Sequence, residues 1–156
     1  MNCTIAPARP DEFLRVATLD RLAWPRAPQT FIPDGEHIWR IWCDYATLLV
    51  ARLADDTTAL LETGHVAGAL VMFPTQQGEL CLHKIMVHPN CRGMGIGSAL
   101  MRRALEFAGV PVLLTVDPNN ASAVALYRKF GFEVRERIDG YCRPHEDRLI
   151  MVFKPK

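Results

Sequence analysis

Apolar and polar residues alternate along this chain with two different periods. Short runs of period two, or of continuous apolar character, predict strands at Thr4–Ala6, Thr57–Glu62, Val66–Phe73, Leu80–Val87, Val112–Val116, Phe132–Ile138 and Leu149–Phe153. Pro10-Asp11-Glu12 places a proline and two acids where a helix begins. From Asp34 onward, Ile38, Ile41, Trp42, Tyr45, Leu48 and Leu49 recur every three or four residues, and this spacing predicts a single amphipathic helix. Ile96, Ala99, Leu100, Ala104, Phe107 and Ala108 form the stripe of another, which Gly109 and Pro111 bring to a stop. Asn119 or Asn120 caps a fourth helix that runs through Lys129 to Gly131. Thr63-Gly64-His65 reads as the hairpin turn between the strands at 57–62 and 66–73, and Trp24-Pro25-Arg26-Ala27-Pro28 as a stiff loop. The order β-α-α-β-β-β-α-β-α-β-β predicts an α/β (α+β) class, a central mixed sheet flanked by about four helices.

Composition narrows this little. A chain of 156 residues, 49% hydrophobic, suits one domain over residues 1–156 with a full core. Eighteen basic and 17 acidic residues leave a net charge of +1, so nothing argues for nucleic acid or a membrane surface as partner. Met1–Pro10 lacks the charged and apolar regions of a signal peptide, and no apolar run reaches the ~20 residues of a membrane span. Cysteines 3, 43, 81, 91 and 142 are scattered, with no C-x-x-C pair and no histidine spacing for zinc. Free thiols, no metal and a cytoplasmic location are the expectations.

The chemistry concentrates at Val87–Ala99, VHPNCRGMGIGSA. An apolar run ends there, a glycine-dense loop follows, and a helix begins at once. Gly93, Gly95 and Gly97 remove every second side chain, which leaves backbone N–H groups at a helix N-terminus to meet an anion, with Arg92 at the entrance. A P-loop requires a Lys-Ser or Lys-Thr that is absent. A dinucleotide fingerprint requires a third glycine where Ser98 stands, and too little chain follows for a two-half nucleotide fold. A turn without a ligand leaves the entropic cost of three glycines without purpose.

The remaining pattern is [QR]-x-x-G-x-[GA], carried by Arg92-Gly93-Met94-Gly95-Ile96-Gly97. It closely resembles the acyl-CoA diphosphate loop of the GNAT family of N-acetyltransferases. Leu82–Pro89 is similar to the family's central strand, Asn120–Phe132 to its N-x-x-A-x-x-L-Y-x-x-x-G-F segment, and Thr4–Ala8 to its opening. Gly140–Met151 is similar to the tail of the ribosomal-protein alanine N-acetyltransferases. The likeness covers most of the chain and is weakest between Leu22 and Thr57.

The resemblance implies transfer of an acetyl group from acetyl-CoA to a primary amine, of a small molecule or a peptide N-terminus, by direct attack. The backbone from Gly93 through Met94, Gly95, Ile96 and Gly97 to Ser98, with Arg92, would hold the diphosphate. Strands on either side of the loop helix splay in the family, so the backbone of Ile85, Met86 and Val87 would meet pantetheine and the thioester oxygen. Asn120 would contact the cofactor as well as cap its helix, and Tyr127 would protonate the departing thiolate. Homodimers are common in the family.

An amine is about one-thousandth neutral at pH 7, a cost of roughly 4–5 kcal/mol, so a base or a water relay is needed. Period two on the central strand sets Glu79, Cys81, His83 and Ile85 on one face. His83 is the candidate base, with Glu79 or a water relay as alternatives and a structural histidine as the bland reading. The alanine acetyltransferases carry a glutamate where Thr115 stands, and the histone-type branch carries one near Cys81; both are missing here. Trp39 and Trp42 read first as core, and as a wall of the acceptor site in the resemblance. The alternative function is a non-catalytic acyl-CoA-binding regulatory module.

Overall fold

The computed structural model describes residues 2–24, 32–54 and 61–156. Seven strands form one sheet: β1 (Cys3–Pro7), β2 (Thr47–Leu53), β3 (Val66–Pro74), β4 (Leu80–Val87), β5 (Val112–Val116), β6 (Glu133–Ile138) and β7 (Arg148–Phe153). Their spatial order is β1-β2-β3-β4-β5-β7-β6. Every neighbouring pair is antiparallel except β4 and β5, which are parallel. The helices are α1 (Phe13–Leu22), entered through a 3-10 turn at Pro10–Glu12, α2 (Glu36–Tyr45), α3 (Ile96–Glu106) and α4 (Ala121–Lys129).

The sheet separates two apolar cores. Leu49, Ala51, Leu70, Leu82 and Leu114 meet Ile96, Leu100, Met101 and Ala104 of α3 on one face. Leu48, Val50, Ala69, Val71 and Met86 meet Val16, Ala17 and Leu19 of α1 and Trp39 of α2 on the other. Gly68 sets the spacing of the first core. A Cβ there would lie 2.9 Å from Ile96 Cγ2, 3.0 Å from the Met86 carbonyl oxygen and 3.1 Å from Leu100 Cδ1, so only a bare backbone lets α3 come this close.

The order of elements is the expected one, but one strand arises from a different stretch. The helix predicted from Asp34 to Leu49 ends at Tyr45, and Ala46 is already extended (φ −114°, ψ 177°). Leu48 and Leu49 belong to β2, which lies between β1 and β3 with Val50 and Ala51 fully buried. A continuous apolar run meets any period by chance, so it mimicked an extension of the helix. Ile41 and Tyr45, placed on the predicted stripe, are exposed, and the buried side belongs to Trp39. The antiparallel partner of β3 is therefore β2. Residues 57–60 of the strand predicted at Thr57–Glu62 lie outside the described residues, and Leu61 and Glu62 are not strand. The turn at Thr63-Gly64-His65 is present, with Gly64 at φ +60°. The loop expected at Trp24–Pro28 lies, from Pro25, outside the described residues.

Phe107 is a second correction. The helix stops at Glu106, and the ring is 70% exposed beneath the Arg103 guanidinium, 4.4 Å from its centroid. The third concerns β4. Val71 pairs with Lys84 and Met72 with Leu82, so His83 is an extra residue with no partner on β3. This bulge resets the alternation. Ile85 faces the α3 core together with Leu82, and does not share a face with Cys81 as period two predicted.

Candidate active site

The glycine loop follows β4. His88 and a 3-10 turn at Pro89–Cys91 lead into Arg92 and the glycines. His88 is buried; its Nδ1 accepts from the Asn90 amide at 3.1 Å and its Nε2 lies 2.8 Å from Glu62 Oε2. The loop is thereby anchored upstream.

Gly93 and Gly95 take φ +78° and +80°, a region that L side chains rarely enter, and Gly95 is the N-cap of α3. A Cβ on either would meet nothing within 4 Å, and one on Gly97 would only touch Val87 Cγ2 at 3.6 Å. These glycines therefore do not serve internal packing, as Gly68 does; they leave the space outside the loop clear. The first helical bond runs from Ala99 N to Gly95 O at 3.0 Å, so the N–H groups of Ile96, Gly97 and Ser98 precede the helical ladder. Gly93 to Gly95 are exposed. The result is a cradle of N–H donors on a positive helix end, which fits a diphosphate. Arg92 does not hang free. Its Nη2 donates to the carbonyl of Ala23, at the C-terminal end of α1 where a cation is favoured.

Beside the cradle, the sheet opens. β4 and β5 pair only at Leu80–Val112 and Cys81–Leu113. From Leu82 to Val87, except at the His83 bulge, β4 stays paired with β3 on its other edge. Alternate residues of that stretch turn N–H and C=O groups to the gap, where an extended chain can lie. Ile85, Met86 and Val87 all fall in it.

α4 follows β5 across the gap. Asn120 caps it, its Oδ1 accepting from Ala123 N and Ser122 Oγ at 3.2 Å. Tyr127 packs on Phe132, centroids 6.0 Å apart, at the margin of the core that contains Ile85, Val87 and Leu114. Burial pushes its phenol above the usual range. A cavity of about 550 Å³ lies beyond β5, between Asp117 and Asn119 on one side and the segment Arg143–Arg148 on the other.

His83 stands on the β4 bulge, its side chain about one-third exposed (35%). Trp42 and Phe73 flank the ring, with centroids at 5.1 and 6.1 Å. Its Nε2 lies 3.0 Å from Asp34 Oδ2. The same oxygen lies 2.7 Å from Lys84 Nζ, which also reaches both oxygens of the fully buried Asp20 at 2.8 and 2.9 Å. Burial would raise the Asp34 carboxyl, but its bonds to His83 and Lys84 outweigh this and hold it below the usual range. Sequence reasoning missed Asp20, Asp34 and Lys84. Only the oddity of a lysine within the apolar run of β4 signalled them. Glu79, the other candidate base, is bound to Arg135 Nη1 at 3.0 and 3.2 Å. Trp39 is core, and its indole N–H donates to Asp20, while Trp42 stacks on Phe73 beside His83.

Known proteins resemble this chain in sequence and fold. The model of the acetyltransferase (GNAT) family matches residues 16–132. The chain is 43% identical over 68 residues to the N-alpha-acetyltransferase RimI of Mycobacterium tuberculosis, covering 43% of each protein. It is 31% identical over 118 residues to an L-2,4-diaminobutyric acid acetyltransferase of Nocardia farcinica, covering 65% of this chain and 60% of that protein. The chain thus spans less than two thirds of the length of both. In fold it is similar to the ribosomal-protein-S18-alanine N-acetyltransferase of Escherichia coli, with a TM-score of 0.77 and 20% identity over 99% of this chain and 95% of that one. With the family model covering the segment from α1 through the glycine loop to α4, the chain belongs to the GNAT acetyltransferase family.

Proposed function

We propose that this protein transfers the acetyl group of acetyl-CoA to a primary amine by direct attack. The observation that carries this is the pairing of an open N–H cradle at Arg92–Ser98 with the gap between β4 and β5. When bound, acetyl-CoA supplies the acetyl group as a thioester. Gly93, Met94, Gly95, Ile96, Gly97 and Ser98 would hold its diphosphate through backbone N–H groups. Ile85, Met86 and Val87 would line the gap and direct an N–H at the thioester oxygen. Asn120 would bound the same channel from the N-terminus of α4. Tyr127 Oη holds a proton for the departing sulfur. His83 takes a proton from the acceptor ammonium, in preference to Glu79, whose carboxylate is engaged by Arg135.

The acceptor reading is an amine of a peptide N-terminus or of a small diamine. The alanine N-acetyltransferase likeness supports the first and the diaminobutyric acid acetyltransferase likeness the second. The test is thiol release from acetyl-CoA with a panel of N-terminal peptides, diamines, polyamines and amino acids. Turnover with one class identifies the acceptor. Tight CoA binding without turnover of any amine rejects catalysis and leaves a CoA-binding regulator.

A further inference from the structure

His83 is one end of a chain of polar groups that runs into the interior. At the other end, Asp20 is fully buried and only accepts: from Trp24 Nε1 at 3.0 Å, Trp39 Nε1 at 3.3 Å, the Asp34 amide at 2.8 Å, and Lys84 Nζ. The last two contacts place Asp34. Its backbone is bound by Asp20, and its carboxylate is drawn to Lys84, which Asp20 holds on a second side. Asp34 Oδ2 is thus fixed from within the protein, independently of His83.

The consequence falls on the imidazole. An ionised carboxylate accepts only, so a bond between Asp34 Oδ2 and His83 Nε2 requires the hydrogen on Nε2. Nδ1 then carries the lone pair, and among the described residues it has no partner. Trp42 and Phe73 limit rotation of the ring.

We propose that Asp34, held by Lys84 and Asp20, is the positioning residue of His83, presenting Nδ1 of the Nε2–H tautomer to the acceptor amine. This rests on the reading of His83 as the base. In the step concerned, the N–H bond of the acceptor ammonium breaks, its electron pair stays on nitrogen, and the proton joins Nδ1. The Nε2–H bond to Asp34 is kept throughout.

The test begins with the unmodified chain, without any acceptor. Long-range nitrogen–proton NMR of the histidine rings should show His83 as the Nε2–H tautomer above its titration. An Nδ1–H signal overturns the proposal. The signal is assigned by its loss in His83→Gln. Asp34→Ala should mix the tautomers and lower kcat at least tenfold, with the Kd for CoA unchanged. Asp34→Asn, which keeps an acceptor oxygen, should restore the tautomer and part of the rate. Wild-type kcat and tautomer in Asp34→Ala also overturn the proposal. If His83→Gln keeps wild-type turnover, it is the base reading that fails, and the tautomer measurement still tells whether Asp34 orients the ring.

Discussion

Tyr127 and His83 sit on opposite sides of the gap between β4 and β5 in sequence terms, one on the helix after β5 and one on the bulge of β4. Their environments differ as their proposed tasks do. Tyr127 is pressed against Phe132, where burial raises its phenol, whereas His83 is a third exposed and bonded to a carboxylate. A proton donor must hold its proton at neutral pH, as a phenol does, and a proton acceptor must present a lone pair. Tyr127→Phe removes one oxygen and leaves the packing intact. It should lower kcat by about 10²-fold, within the span of general acid catalysis, with no change in CoA affinity by calorimetry. Wild-type kcat in this variant would exclude the acid role. Tyr127 and Asn120 were proposed from the resemblance of Asn120–Phe132 to the family's segment, and their spacing of seven residues, about two helical turns, is local. The identity of the partner of His83 was not legible in the sequence, because Asp34 lies 49 positions away.

At the scale of elements, two glycines illustrate opposite uses of a missing side chain. Gly95 faces open space at φ +80°, and Gly68 faces α3 at close contact. Gly95→Val should therefore abolish CoA binding in a calorimetric titration. Its effect on stability should stay near the ~1–3 kcal/mol of a strained backbone, since no internal atom meets the new Cβ. Retained CoA binding would remove the loop from the site. Gly68→Ala should do the reverse. Overpacking between β3 and α3 should cost roughly 1–3 kcal/mol in chemical denaturation, and residual binding should follow the folded fraction. An unchanged midpoint would show that α3 yields without cost. The loop was readable because its three glycines occupy alternate positions beside one helix start. Gly68 was not, because its role depends on a helix that begins 28 residues later in the chain. The bulge at His83 escaped for a related reason. Period two describes one strand, and a bulge is a property of two.

At the first strands of the sheet a largely buried ion pair joins Glu12 and Arg52. Glu12 precedes α1, and only 4% of its side chain is exposed. Burial alone would raise its carboxyl. Two bonds from Arg52 of β2, at 2.6 and 2.7 Å, and one from the Arg9 amide, at 2.7 Å, outweigh this and hold it below the usual range. Arg52 also donates to the Pro7 carbonyl of β1 at 2.8 Å, so α1, β1 and β2 meet at one guanidinium. A carboxyl lowered in the folded state contributes stability that is present above its ordinary value of 4.5 and is lost as pH falls below it. Asp34 acts in the same direction, from an ordinary value of 3.8. Thermal unfolding should therefore move to lower temperature as pH drops from about 5 toward 3. In Glu12→Gln that slope should be shallower, on a lower plateau at pH 7. A slope equal to the wild type would show that Glu12 is not among the groups that couple folding to acid.

The sequence by itself determined the order of elements, the Asn120 cap, the run of glycines at a helix start and the extent of the Asn120–Lys129 segment. Each is written in residues a few positions apart, and local backbone geometry suffices to interpret it. These features belong to the side that would hold the acetyl donor. Only the tertiary structure decided which stretch supplies β2, how far β4 and β5 pair, and which groups surround His83. Asp20 and Lys84 are 64 positions apart, and Asp20 and Asp34 are 14. A buried charge chooses its partners by proximity in the folded state, and no spacing along the chain records that choice.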